Sequence, residues 1–233
     1  MTERDDLERR GRLDQAIAAL EALGEARIRD GLARYGIVTA EPVIGVPMAG
    51  IQKIGKTFGR DHQLAEDLWQ SGVYEARMLA AYVDDPKQVT AAQMDRWARD
   101  FDNWATCDTL CFKLFDQAAD AWAMVDRWAG ANGEFVKRSA FALLASLALH
   151  DKKGADAPYL ERLALIEAAA SDDRNFVKKG VSWALRAIGI RKSPAVRAAA
   201  RETAQRLIDS GERTARWIGK DAQRQFAKAD EGN

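Results

Sequence analysis

Asp108 is the first residue that suggests chemistry. In FDNWATCDTLCFKLF, residues 101–115, a helical advance of about 100° per residue gathers Phe101, Trp104, Cys111, Phe112 and Phe115 into one stripe about 100° wide. The carboxylate of Asp108 falls inside that stripe. An ionised aspartate among aromatics is costly unless it is partnered. It either meets a buried cation such as Arg138 or caps a neighbouring helix, or the stripe faces a substrate as well as the core. Trp104, four residues earlier, shares its face.

A second constellation emerges from an internal repeat. EFVKRSAFALLASLAL at 134–149 matches NFVKKGVSWALRAIGI at 175–190 at an offset of 41, and VYEARMLAAYV at 73–83 echoes both. All three share an aromatic followed three residues later by a base: Tyr74 to Arg77, Phe135 to Arg138, Phe176 to Lys179. Between the two better copies Arg138 corresponds to Lys179, Ala142 to Trp183 and Ala145 to Arg186. Alanines sufficient for helix packing have become tryptophan and arginine. Lys179, Trp183 and Arg186 stand at i, i+4 and i+7 beside an apolar face of Val177, Val181, Ala184 and Ile188. Cations framing an aromatic suit a groove along which a nucleic-acid backbone passes.

The composition narrows the class. With 47% hydrophobic and 30% charged residues the 233-residue chain is ordinary for a globular protein. No apolar run approaches the roughly 18 residues of a membrane span. The acidic start MTERDDLERR lacks the basic and apolar regions of a signal peptide, so no membrane association and a cytoplasmic location are expected. Cys107 and Cys111, at i and i+4 on an apolar face, read as buried thiols. His62 and His150 are isolated, so neither a metal nor a cofactor is expected. The net charge of zero hides an asymmetry: residues 174–228 carry fourteen Lys and Arg against four Asp and Glu, the footprint of a phosphate-binding surface or of a solvated helical face.

Helices must position these residues. Helical periodicity runs almost throughout, punctuated at Gly24, Gly36, Pro42 to Pro47, Gly59, Gly72, Asp84 to Pro86, Gly130 to Gly133, Gly154 to Pro158, Asp172 to Asp173, Gly189 to Pro194 and Gly211, with no convincing strand pattern. The chain is expected to be all-α, a single domain over 1–233 ending in a basic helix and a short disordered tail after about residue 228. A period near 40 is that of HEAT-type helical pairs, which stack into a solenoid with a concave face. The repeated base of each unit would then form a ladder.

NWATCDTLC, with its W-x3-D spacing, followed by EFVKRSAFALLASLALHDK and DDRNFVKKGVSWALR, resembles the AlkD-like DNA alkylation-repair glycosylases. GVPMAGIQKIGKTFGRDHQLAEDLWQSGVYEARMLA agrees, so the resemblance covers about residues 30–210. It implies a HEAT-like solenoid with a concave DNA-binding face. By position, the family's catalytic aspartate matches Asp108, its lesion-contacting tryptophans match Trp104 and Trp183, and its phosphate-binding residues match Arg138 and Arg186, with Lys179 beside them. Tyr35, in ARYGI, matches a further aromatic of the lesion cleft.

The implied activity is excision of cationic N3- and N7-alkylpurines, 3-methyladenine and 7-methylguanine, from duplex DNA without drawing the base into a pocket. The lesion's positive charge already weakens the glycosidic bond, so one carboxylate suffices. The implied partner is duplex DNA holding alkylated purines, met by a monomer with no obligate protein partner. Two alternatives stay open: a non-catalytic relative binding distorted or branched DNA, and a HEAT-like protein scaffold.

Overall fold

The computed structural model describes residues 3–231. Among them the backbone forms α-helices, two short 3-10 turns and connecting loops, with no strand. Contacts cluster within two compact units, Met1–Ala119 and Asp120–Asn233.

The first unit contains α1 (Glu3–Glu21), α2 (Ala26–Arg29), a 3-10 turn (Leu32–Tyr35), α3 (Met48–Phe58), α4 (His62–Gln70), α5 (Tyr74–Val83), α6 (Ala91–Arg99), α7 (Trp104–Lys113) and a second 3-10 turn (Phe115–Gln117). α5 packs against α3, α4 and α7, with α1 laid along α3, α4 and α5. Its aromatic core is a stack of Trp69 on Trp97, centroids 4.3 Å apart, with Phe101 edge-on to Trp69 and Phe115 tilted against Trp97. The long link from Tyr35 to α3 is held by a buried carboxylate. Glu75 accepts the backbone N–H groups of Ile44, Gly45 and Val46 at 2.9, 2.6 and 3.2 Å. Gly45 sits there at φ 93°, where an added Cβ would also strike the Glu25 carbonyl, so only glycine fits.

The second unit contains α8 (Ala121–Ala129), α9 (Glu134–His150), α10 (Ala157–Ala169), α11 (Asn175–Gly189), α12 (Pro194–Asp209) and α13 (Arg213–Glu231). α9 is buried continuously from Arg138 to Ala148 and serves as the axis against which α8 and α11 pack. The repeat copies are therefore neighbours: Phe135 and Phe176 place their rings 5.2 Å apart, and Glu134 accepts the Phe176 N–H at 3.2 Å. α13 closes on α11 and α12. The approach is close because a side chain at Gly189 would run into the Phe226 ring.

Apart from Pro42 and Gly45, which lie within the long loop before α3, the turn residues fall at or near helix ends, as expected. α13 continues through Glu231, so the tail expected after about residue 228 is helical through that point; residues 232–233 lie outside the described residues. No helix among the described residues is long and apolar enough to cross a membrane.

Candidate functional site

In the first unit, Asn103 decides where α7 begins. Its side-chain oxygen accepts the N–H groups of Ala105 and Thr106 at 3.0 Å each, an N-cap that starts the helix at Trp104. At the other end Leu114, with φ −134° and ψ −59°, leaves helical geometry. The single helix expected over 101–115 is thus ten residues long, with Phe101 before it and Phe115 in the following 3-10 turn. Both phenylalanines still reach the core.

The face of α7 also divides more finely than a single stripe. Cys107, Leu110, Cys111 and Leu114 form a fully buried seam. Trp104, Asp108 and Phe112, at i, i+4 and i+8, form a half-buried row beside it. Asp108 is therefore half open to solvent rather than fully desolvated, because it stands on the margin of the apolar stripe. Burial pushes the Cys111 thiol well up, aided by its hydrogen bond with Cys107 and by nearby negative charge including Asp108. Both free thiols are buried, as expected, and that of Cys111 stays protonated.

Trp104 and Tyr35, distant in sequence, are brought together. The Trp104 indole N–H donates to the Tyr35 carbonyl at 3.0 Å. Tyr35 ends a 3-10 turn stopped by left-handed Gly36 at φ 69°, and is itself 73% exposed. A residue missed in the sequence secures the following loop: Asp102 accepts Thr39 Oγ1 and the Ala40 N–H, both at 2.8 Å. The adjacent Asn103 cap was a legible signal at a helix start; the loop partners were not.

The expected ladder of bases does not form a row of equivalent cations. Arg77 is enclosed in the first unit, its guanidinium 4.6 Å above the Trp69 ring and paired with Glu41 and Asp100. Burial pushes the Glu41 carboxyl up to about 7 against the opposing charge of Arg77, in keeping with its buried Oε2, which lacks a hydrogen-bond partner. Arg138, in the second unit, is only 6% exposed, and its Nη1 donates to the Phe176 carbonyl at 2.7 Å, tying α9 to the first turn of α11. Lys179 is exposed.

On α11 the spacing behaves as expected. Val177, Val181, Ala184 and Ile188 are fully buried, and Lys179, Trp183 and Arg186 follow one another along the adjoining open side, the last two half-buried. Arg186 is held rather than free: it lies 3.3 Å from Asp221 of α13, which also accepts Ser182 Oγ at 2.6 Å. Burial raises the Asp221 carboxyl, but the Ser182 and Arg224 hydrogen bonds and the charges of Arg186 and Arg224 outweigh it and hold it below the usual range.

Residues 16–228 match the family model described as DNA alkylation repair enzyme. The chain belongs to that family. One solved structure, described as "a new family of proteins related to the HEAT-like repeat DNA glycosylases with affinity for branched DNA structures", is similar with a TM-score of 0.73 at 21% identity, covering 83% of this chain and 82% of that one. The fold is accordingly that of the HEAT-like repeat proteins related to DNA glycosylases. None of the curated proteins searched matches the chain.

Proposed function

We propose that this chain is a monofunctional DNA glycosylase that excises cationic N3- and N7-alkylpurines such as 3-methyladenine and 7-methylguanine from duplex DNA. The observation that carries the reading is the half-buried row of Trp104 and Asp108, with Tyr35 fastened to the Trp104 indole. Beyond the bond that ties Trp104 to Tyr35, the row leaves an indole and a carboxylate side by side at the surface. It offers an aromatic face to a cationic nucleotide and a negative charge to a sugar turning positive. In the free protein, water screens Asp108. DNA lying on the row would expel that water and strengthen the carboxylate at the moment the glycosidic bond stretches. The purine leaves neutral with the bonding electrons, and a water that Asp108 orients adds to C1′, passing its proton to the carboxylate and on to solvent.

On α11, Trp183 offers an aromatic face of its own, with Lys179 and Arg186 suited to phosphates. Arg138, only 6% exposed, ties α9 to the start of α11 through Nη1 and so supports Lys179 and Arg186 instead of meeting the phosphate backbone itself. No metal or cofactor is required, since the lesion's own charge activates the leaving group; a chelator should leave the rate unchanged. The chain would act in the cytoplasm as a monomer.

Base release from duplex containing 7-methylguanine, followed by chromatography under single-turnover conditions, tests the reading. Free 7-methylguanine supports it. A folded protein that binds the duplex and releases no base supports the second reading, binding of branched or distorted DNA. That alternative is favoured by the affinity ascribed to the similar solved structure.

A further inference from the structure

α13 carries a surface that the proposed site does not use. At about 100° per residue, Arg213, Arg216, Trp217, Lys220, Arg224 and Lys228 fall within an arc of about 120°, opposite the buried Ile218, Ala222 and Phe226. A solvated helix often looks basic, and the neighbouring α12 shows that ordinary case. There Arg201 pairs with Asp230 and Arg206 with Glu167. On α13 only Arg224 has a carboxylate partner, Asp221; Arg213, Arg216, Lys220 and Lys228 have none among the described residues. Uncompensated like charges along one helix repel each other, a cost that an anionic partner removes.

Trp217 makes the second argument. It is 39% exposed among these cations, and Lys178 of α11 holds its Nζ 5.4 Å from the ring centroid. Lys178, Arg213, Thr214 and Trp217 line an open cleft of about 480 Å³ together with the acids Asp173 and Glu212. An exposed indole flanked by cations offers a stacking face beside phosphate partners, the arrangement single-stranded nucleic acid uses. Close packing at Gly189 and Phe226 fixes α13 to α11, so the surface is part of a rigid scaffold.

We infer that the outward face of α13 is a second DNA contact, in which Arg213, Arg216 and Lys220 take phosphates and Trp217 stacks on an unpaired base. The inference rests on the reading of DNA as ligand and is independent of base excision.

The test uses the full chain and fluorescence anisotropy against two labelled DNAs, a blunt duplex and the same duplex bearing an unpaired single-stranded arm, each titrated across a salt series. Circular dichroism confirms that every variant is folded. Arg216→Ala with Lys220→Ala should flatten the log–log salt slope by about 1.8 units, two phosphates' worth, whereas the loop control Lys153→Ala should leave it unchanged. Trp217→Ala should weaken binding to the armed duplex about tenfold and to the blunt duplex less than about twofold, and Trp217→Phe should recover most of the loss. An unchanged slope in the double variant, alongside a slope flattened by Arg186→Ala, would overturn the α13 contact and leave the DNA reading standing. Equal losses on both DNAs for Trp217→Ala would overturn the stacking role. A salt-insensitive wild type would remove the DNA reading and this inference together.

Discussion

α9 and α11 are copies of one template put to different uses. Ala142 and Ala145 of α9 are fully buried, and their counterparts on α11, Trp183 and Arg186, are half open. Arg138 is sealed and spends a donor on the Phe176 carbonyl, whereas Lys179 is exposed. One helix is an axis and the other is a surface. The α7 row of Trp104, Asp108 and Phe112 belongs with the second kind, half-buried beside a sealed seam of cysteine and leucine. Substitutions on a sealed helix should therefore cost stability, and substitutions on an open row should cost binding or rate while leaving the fold intact.

The largest effect should come from forcing one kind into the other. Ala142→Trp places an indole where the neighbours leave no space, so overpacking should cost more than about 4 kcal/mol, read as loss of a cooperative urea transition. A variant that unfolds like wild type would break the distinction between the two helices.

Next comes the open row of α7. Asp108→Asn keeps shape and removes charge, so stability should change by less than about 1 kcal/mol. Single-turnover release of 7-methylguanine should slow by about thirty- to a thousandfold, equivalent to about 2–4 kcal/mol of transition-state stabilisation. Excision at the wild-type rate would make the carboxylate structural.

The third echo of the template sharpens the comparison through pH. Around Arg77, burial lifts Glu41 from 4.5 to about 7. A carboxyl that holds its proton longer in the folded state makes the native protein bind more protons than the unfolded chain across that window. Its contribution to stability is thus undiminished below about pH 4.5 and is lost as pH rises towards 7. Glu41→Gln should flatten the fall by about 1–3 kcal/mol, measured by urea unfolding at a series of pH values. No such flattening would place Glu41 with the exposed charges.

The smallest effect expected is at Trp183. Trp183→Ala removes a cation–aromatic contact of about 0.5–2 kcal/mol, a loss of about two- to thirtyfold in excision, read on protein shown to be folded by circular dichroism. A loss as large as that of Asp108→Asn would mean that the indole does more than face the lesion.

Much of this was legible in the sequence because helical periodicity is a local property. The all-α class, the turn positions, the 41-residue repeat and the buried face of α11 all follow from the order of apolar residues, since side chains three and four apart must share a side. The spacing that put Trp104 and Asp108 on one face of α7, and Lys179, Trp183 and Arg186 along α11, needed no tertiary information. What periodicity could not rank was depth. It placed Asp108 in an apolar stripe without showing that the stripe splits into a sealed seam and a half-open row. It treated Arg77, Arg138 and Lys179 as equals, although neighbours far along the chain enclose the first, bury the second and leave the third exposed. The bonds from Trp104 to Tyr35, from Asp102 to the loop after it, and from Asp221 to Arg186 each join residues more than thirty positions apart. Such contacts exist only once helices have packed, because a side chain's burial and partners are set by the surfaces brought against it.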